Sequence, residues 1–416
     1  MKRSLILMLL AGCSTSAARR DFPDVDQLPS RPGLPDPLEM LDGRKVTSKT
    51  QWETERRPEL LALFDHYMYG AAPPPPAGVK AEVLFTDATA FGGKATVREL
   101  KITWGIPTAI YLLVATPNKP GKSPCVFGLN FNGNHQALAE PRIRLPDGWV
   151  RNKGNKALEE DRGKEIATWS IAASIERGYA VATFYNGDVD PDRHEWTDGI
   201  HPHYYKPGQT QPGPHEWATI RAWAWGLSRV VDYLLTDPAV DGRRLAVFGH
   251  SRNGKTALVA AAYDSRIALA IPHQAGCGGT APSRSTVGES VKRINDAFPH
   301  WFNDTFVLFN EKTDRLPFDQ HCLAAICAPR PVLYSNAQDD QWANPNGQFE
   351  MLKAATPVYA LYGVDGLKAE KPPAPGDPPT LSRLGYWLRP GKHSTGPDDW
   401  KVFLDFCDAQ LGKNRE

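Results

Sequence analysis

Almost no excess of charge is present: 48 basic against 47 acidic side chains leave a formal net charge of +1. The strongly basic domain or stripe that nucleic-acid binding requires is therefore missing. Long apolar runs are also missing. Leu5 to Leu10 form a short apolar stretch, too short to cross a bilayer as a helix. The six cysteines, Cys13, Cys125, Cys277, Cys322, Cys327 and Cys407, lack the paired spacing of a metal site. Cys322 and Cys327 are close to each other but have no matching second pair, so no metal or cofactor is expected and buried free thiols are the default. No internal repeat and no second domain boundary is visible. With 41% hydrophobic and 23% charged residues, the composition is that of a chain with a packed core rather than a disordered one. Its 12 Trp residues fit either a large core or an aromatic surface for sugars and aryl groups, and composition leaves both open.

The N-terminus carries a targeting pattern. Lys2 and Arg3 precede the apolar stretch, and Leu10-Ala11-Gly12-Cys13 resembles a bacterial lipobox. The expectation is a lipoprotein signal peptide over 1–12 and a lipid anchor on Cys13, with export to the bacterial outer membrane. An ordinary cleaved signal peptide, giving a periplasmic or secreted protein, is the alternative. Residues 13–48, polar and Pro-rich, read as a tether or extended N-terminal arm. Residues 49–416 read as one domain, and a monomer is expected.

Along that domain, Trp52–Tyr69 has helical spacing of Leu60, Leu61, Phe64 and Tyr67. Ala81–Phe85, Ala95–Trp104 and Ala109–Ala115 follow as strands. Strands at Cys125–Asn130, Tyr179–Phe184, Arg244–Phe248, Ile267–Ile271, Pro331–Ser335 and Tyr386–Leu388 then alternate with helices at Glu165–Arg177, Trp217–Leu235, Lys255–Tyr263 and Asp398–Gln410. That alternation predicts a three-layer α/β sandwich with a mostly parallel central sheet, and the strand–turn–helix around Ser251 narrows it to an α/β-hydrolase fold. Long loops at Asn186–Pro214, Gly276–Thr313 and Gly363–Leu381 are expected to build a substrate cleft.

Leu245-Ala246-Val247-Phe248 runs into Gly249-His250-Ser251-Arg252-Asn253-Gly254 and then into a helix. This is the strand–turn–helix setting of a nucleophile elbow, although the second Gly comes one position later than in G-x-S-x-G. The turn would lift the Ser251 hydroxyl above the strand and aim the Arg252 N–H at a developing oxyanion. The blander reading is a Ser in an ordinary strand–helix turn. A serine hydroxyl needs a base. His393 sits after the last strand and before the last helix, where this fold places it. His194, His201, His203 and His215 precede the Ser, and His300 and His321 are not placed after the last strand, so structural roles are expected for them. The acid should follow a late strand, and Asp339 and Asp340 both do.

Several further motifs accompany the elbow: Trp223-Ala224-Trp225-Gly226-Leu227-Ser228-Arg229, Gly276-Cys277-Gly278-Gly279, Gly288-Glu289, Leu316-Pro317-Phe318-Asp319-Gln320-His321, Asp340-Gln341-Trp342-Ala343-Asn344-Pro345 and Asp399-Trp400. Asn130-Phe131-Asn132-Gly133-Asn134-His135 fits the earlier part. With these, the chain from about Trp52 to its end resembles the glucuronoyl esterases, carbohydrate esterase family 15, in their bacterial form. The resemblance implies cleavage of the ester between (4-O-methyl-)glucuronate of glucuronoxylan and lignin alcohols. It implies Ser251 as nucleophile, His393 as base, Arg252 as oxyanion donor, and Lys255, Glu289 and Trp342 as contacts to the uronate sugar. In isolation those last three would read as a surface charge, a solvated carboxylate and plain core. Many members carry the acid at the position of Gln274, which cannot hold the charge. The family's other arrangement implies Asp340, with Asp339 the weaker candidate. His250 and Ser394 stand where fungal members have a disulfide, so that bridge is impossible here. Two other functions stay open: an esterase for acetyl xylan or uronate methyl esters, and a surface lipoprotein that binds glucuronoxylan without turning it over.

Overall fold

Strand side chains that alternate across the pleat fall into two separate apolar cores. Along Ile110–Pro117, Leu112 and Val114 join one cluster while Leu113 and Ala115 join the other. Along Ser123–Asn130, Cys125 and Phe127 pack on the first side and Val126 on the second. A period of two with both faces buried is the signature of a sheet covered on both sides. The computed structural model describes residues 21–152 and 154–412. Its strands are β1 (Lys80–Thr89), β2 (Ala95–Thr103), β3 (Ile110–Pro117), β4 (Ser123–Asn130), β5 (Ala180–Tyr185), β6 (Val240–His250), β7 (Leu269–His273), β8 (Val332–Ala337) and β9 (Leu384–Arg389). They form one nine-stranded sheet in the order β1-β2-β3-β5-β4-β6-β7-β8-β9. Pairing is antiparallel from β1 through β3 to β5 and parallel from there to β9.

The main helices are α1 (Arg57–Phe64), α2 (Ile166–Trp169), α3 (Ile171–Glu176), α4 (Thr219–Leu234), α5 (Arg252–Tyr263), α6 (Val291–Ala297), α7 (His321–Ile326), α8 (Pro345–Ala360) and α9 (Pro397–Leu411). The apolar residues of α1, α4, α5, α7 and α8 belong to the first core, and those of α2, α3 and α9 to the second. The result is the three-layer arrangement expected from the alternation. Helix α1 lies inside a longer helical run, between π turns at Trp52–Arg56 and Asp65–Tyr69. The helix expected over 165–177 is broken at Ser170, whose φ is 42°. The break lets Trp169 meet Phe248 at 5.8 Å and Trp400 at 6.2 Å, while Ile171 and Ile175 pack into the same core. Helix α6 lies within a stretch expected as loop, and α8 was not anticipated, because Pro345, Gly347 and Pro357 within it read as loop signals.

Residues 1–12 and Cys13 lie outside the described residues. From Asp21 on, the N-terminal segment is an arm laid along the body. Val25, Leu28, Met40 and Val46 are buried in the first core. Arg315 donates to the Asp26 and Leu28 carbonyls at 3.1 and 2.5 Å, His321 to that of Pro35 at 2.8 Å, and Arg56 to that of Pro37 at 3.1 Å. Apolar residues among the prolines explain the docking: an arm of this composition has surface to bury, unlike a Gly/Ser tether. Among the described residues the five cysteines are buried free thiols. Nine of the 12 Trp residues, Trp52, Trp104, Trp169, Trp217, Trp223, Trp225, Trp301, Trp387 and Trp400, are buried, so most of the tryptophan serves the core. Because Leu28 is 1% exposed, Leu28→Ala should lower unfolding stability by about 2–3 kcal/mol in urea titration, whereas an undocked tether would leave the midpoint unchanged.

Candidate active site

Strand β6 and helix α5 pass so closely at their junction that the residues between them have no freedom. A Cβ added to Gly249 would lie 2.0 Å from the Asn253 carbonyl oxygen, and one added to Gly254 would lie 2.8 Å from the Gly249 oxygen and 2.9 Å from that of His273. This explains the late second glycine: the crossing needs Gly at 254, while Asn253 uses its side chain to donate to the Leu129 carbonyl at 3.1 Å. The turn places Ser251 at φ 58°, ψ −125°, a conformation that side chains other than glycine rarely adopt and that is characteristic of functional turns. Arg252 opens α5, so its N–H is one of the amides that a helix leaves without an internal acceptor, at the positive end of the helix dipole.

Ser251, Arg252, His393 and His250 border a cavity of about 300 Å³ whose wall also includes Phe131, Asn132, Arg151, Tyr185, Asn186 and Asp192. His393 Nδ1 donates to Asp340 Oδ2 at 2.6 Å, which leaves Nε2 as the acceptor. Asp340 is 6% exposed at the end of β8. Asp339 is exposed, and its N–H donates to the Gly391 carbonyl at 2.9 Å. Of the two candidate acids, therefore, Asp340 reaches the imidazole.

Gln274, at φ 50°, sits one residue beyond β7 and does not pair with His393. Its Oε1 accepts from His250 Nε2 at 2.9 Å and from the Ser394 N–H at 3.0 Å. Burial, together with the nearby His273 and His393, pushes His250 well below the ordinary imidazole value, so its ring, 4.4 Å from that of His393, is neutral.

Lys255, Glu289 and Trp342 gather beside the cavity rather than along its wall. Lys255 stands one turn beyond Ser251 on α5, buried, with its ammonium donating to the Ala275 and Cys277 carbonyls at 2.6 Å each. Burial lowers its pKa and the neighbouring Glu289 opposes that shift. Glu289 donates its N–H to the Trp342 carbonyl at 3.0 Å. Trp342 is half exposed, with the Arg293 guanidinium 5.0 Å from its ring centre. Lys255 thus lies within electrostatic reach of Glu289, whose backbone is joined to that of Trp342.

Sequence reasoning missed Asp192 and Arg151. The only signal was that Asp192 lies in a loop long enough to be functional. Its carboxylate accepts from His300 Nε2 at 2.9 Å and Trp301 Nε1 at 2.8 Å through Oδ1, and pairs with both Arg151, at 2.9 Å, and Arg252 through Oδ2. Burial pushes this carboxyl up, but the His300 hydrogen bond, the Arg252 charge and the Trp301 N–H outweigh it and hold the group below the usual carboxylate range. Arg252 in turn lies 4.8 Å from the Trp301 ring centre and 5.2 Å from that of Phe298. Among the described residues no group of three or more His, Cys, Asp or Glu is placed to hold a metal ion.

Comparison with known proteins gives the same direction. The family model for fungal glucuronyl esterase matches residues 155–363. A carbohydrate esterase from an unknown prokaryotic organism is 44% identical over 99% of this chain and 99% of its own. Among solved structures, a promiscuous CE15 esterase from a marine bacterial metagenome is 45% identical, covering 93% of this chain and 99% of its own, with a TM-score of 0.86. A glucuronoyl esterase from Solibacter usitatus is 36% identical, covering 93% and 100%, with a TM-score of 0.87.

Asp192→Asn would leave two guanidinium groups without their buried counter-charge, and should cost about 3 kcal/mol of stability at neutral pH. Because the folded carboxyl ionises below its unfolded value of roughly 3.9, its contribution is complete above that value and is lost as pH falls through the lower, folded one. Urea titrations of wild type and variant from pH 7 to pH 2 should therefore show the difference between them shrinking in acid.

Proposed function

The chain belongs to the glucuronoyl esterase family, carbohydrate esterase family 15, and on that premise we propose that it hydrolyses esters between (4-O-methyl-)glucuronate of glucuronoxylan and lignin alcohols. The observation that carries the reading is the pairing of His393 Nδ1 with Asp340 Oδ2 at 2.6 Å beside a strained Ser251. That pairing fixes the imidazole tautomer and leaves a lone pair for the serine proton.

In this reading, His393 Nε2 takes the Ser251 proton as Oγ attacks the C6 carbonyl of the uronate. The negative charge that develops on the carbonyl oxygen is met by the Arg252 N–H and guanidinium. His393 then returns the proton to the departing alcohol, and a water activated by the same imidazole releases glucuronate from Ser251. Lys255, Glu289 and Trp342 hold the sugar. An ammonium suits a sugar hydroxyl here, because the esterified substrate has no free carboxylate to demand a bidentate arginine.

We assign the catalytic domain to residues 49–416 and the signal peptide to 1–12, with lipid attachment at Cys13 on an exported, monomeric enzyme. A broader carbohydrate ester specificity is the competing substrate reading, since one similar structure is of an esterase described as promiscuous. A binding protein without turnover is disfavoured by the intact His393–Asp340 pair.

Hydrolysis of benzyl glucuronate beside an acetyl ester tests this directly. Wild type should cleave the glucuronate much faster. Ser251→Ala and Asp340→Asn should each lose on the order of 10^4-fold or more in kcat while remaining folded. Preference for the acetyl ester would move the substrate to the broader reading, and no turnover of either would favour the binder.

A further inference from the structure

Two guanidinium groups and one carboxylate meet at the wall of the cavity beside Ser251. Asp192 Oδ2 pairs with both Arg252 and Arg151, while Oδ1 is occupied by His300 and Trp301. His250, on the same wall, is held neutral, and His393 is paired with Asp340. One Asp192 charge cannot balance two arginines, so the wall carries an excess positive charge. The two cations differ in exposure. The Arg252 side chain is 20% exposed and enclosed by aromatic rings, as its role beside the nucleophile demands. That of Arg151 is 47% exposed, against 4% for Asp192. An ion pair this open adds little to stability, yet it keeps a planar, multi-donor cation in one place.

The position of that cation relative to the nucleophile narrows what it can meet. Lys255, Glu289 and Trp342, assigned to the uronate, do not border this cavity, which leaves it for the alcohol side of the ester. Phe131 and Tyr185 give it aromatic walls, and the Arg151 guanidinium lies 5.2 Å from the Phe298 ring centre. A flat apolar group would be flanked by rings and would present its far end to a guanidinium.

We propose that Arg151 is a specificity-determining residue that makes this enzyme favour glucuronoyl esters of arylmethanols carrying a carboxylate. The inference rests on the glucuronoyl esterase reading above and adds to it a charge preference in the departing alcohol. The carboxylate accepts a charge-assisted hydrogen bond from Arg151 in the bound ester, and the uronate side is untouched.

The test compares the glucuronate esters of benzyl alcohol and of 4-(hydroxymethyl)benzoic acid, with an acetyl ester as control, for wild type, Arg151→Gln and Arg151→Glu. The readout is the ratio of kcat/KM between the two glucuronate esters, which cancels any general damage from substitution beside Asp192. Wild type should favour the carboxylated ester by roughly fivefold, the upper range for an open ion pair, chiefly through KM, and should lose that preference as salt rises. The ratio should fall to about one in Arg151→Gln and invert in Arg151→Glu. A wild-type ratio of one, or a ratio indifferent to the charge at 151, overturns the proposal while leaving the esterase reading intact. Cleavage of the acetyl ester with neither glucuronate ester turned over overturns that reading, and the proposal falls with it.

Discussion

The close crossing of β6 and α5 governs the site. With a carbonyl 2.0 Å from where a Cβ of Gly249 would stand, the chain has one way through the junction, and that way puts Ser251 at positive φ. From this one constraint follow the lift of the hydroxyl above the sheet, the alignment of the Arg252 amide with the helix dipole, and the position of Lys255 one turn further along α5. The parallel neighbours β7, β8 and β9 end on the same side as β6, so the loops carrying Gln274, Asp340 and His393 gather over Ser251 without a separate device. Strain in the turn is sustained by the burial of β6 on both faces, where Val247 and Phe248 anchor it in opposite cores.

The carboxylates around that turn are fully engaged. Asp340 is committed to His393, and Asp192 is committed to the arginines. Each carboxylate is nearly buried, and a buried carboxylate persists as an anion only with hydrogen bonds or cations to hold it. The two systems do not share a partner. The orientation of the His393 imidazole is thereby separated from that of the Arg252 guanidinium, and a disturbance of one need not travel to the other. Asp192 also ties Arg252 to His300 and Trp301, far along the chain in the segment that leads out of α6, so the setting of the Arg252 side chain depends on packing that no local motif encodes.

That dependence marks what the sequence could and could not disclose. Elements with a strong period were legible: β4, β5, β6, α4 and α9 lie where their patterns put them, because both faces of the sheet and one face of each helix must be apolar. The strand–turn–helix at Ser251 was legible in the strand and helix patterns on either side of it, and His393 stands, beside Asp340, between the last strand and the last helix. Helix α8 was not, since Pro345, Gly347 and Pro357 are loop signals outweighed by the burial of Phe349, Met351, Leu352 and Val358. The docking of the arm was not legible, because it depends on partners such as Arg315 and His321 nearly three hundred residues away. Asp192 escaped for the same reason: a carboxylate in a polar loop carries no local mark of the four side chains that converge on it.

Gln274 occupies a place that the resemblance reserves in many members for an acid, and its surroundings account for the exchange. Its amide oxygen holds the N–H of His250 and that of Ser394, while Ser394 is further held by Arg389 and His273 through its carbonyl at 2.7 and 2.8 Å. The backbone that flanks His393 is thus braced by hydrogen bonds, in a protein where His250 and Ser394 rule out a covalent bridge. A carboxylate at 274 could accept the same two hydrogen bonds, but it would favour the charged form of His250. That would set a cation 4.4 Å from the His393 ring, in conflict with the role as base proposed for His393. A neutral amide braces the loop without that conflict, and the carboxylate stands instead on Asp340, at Nδ1 of His393. His250, Gln274 and Asp340 therefore form one interdependent arrangement: an amide just beyond β7, a neutral histidine beside Ser251, and a carboxylate just beyond β8 that pairs with His393.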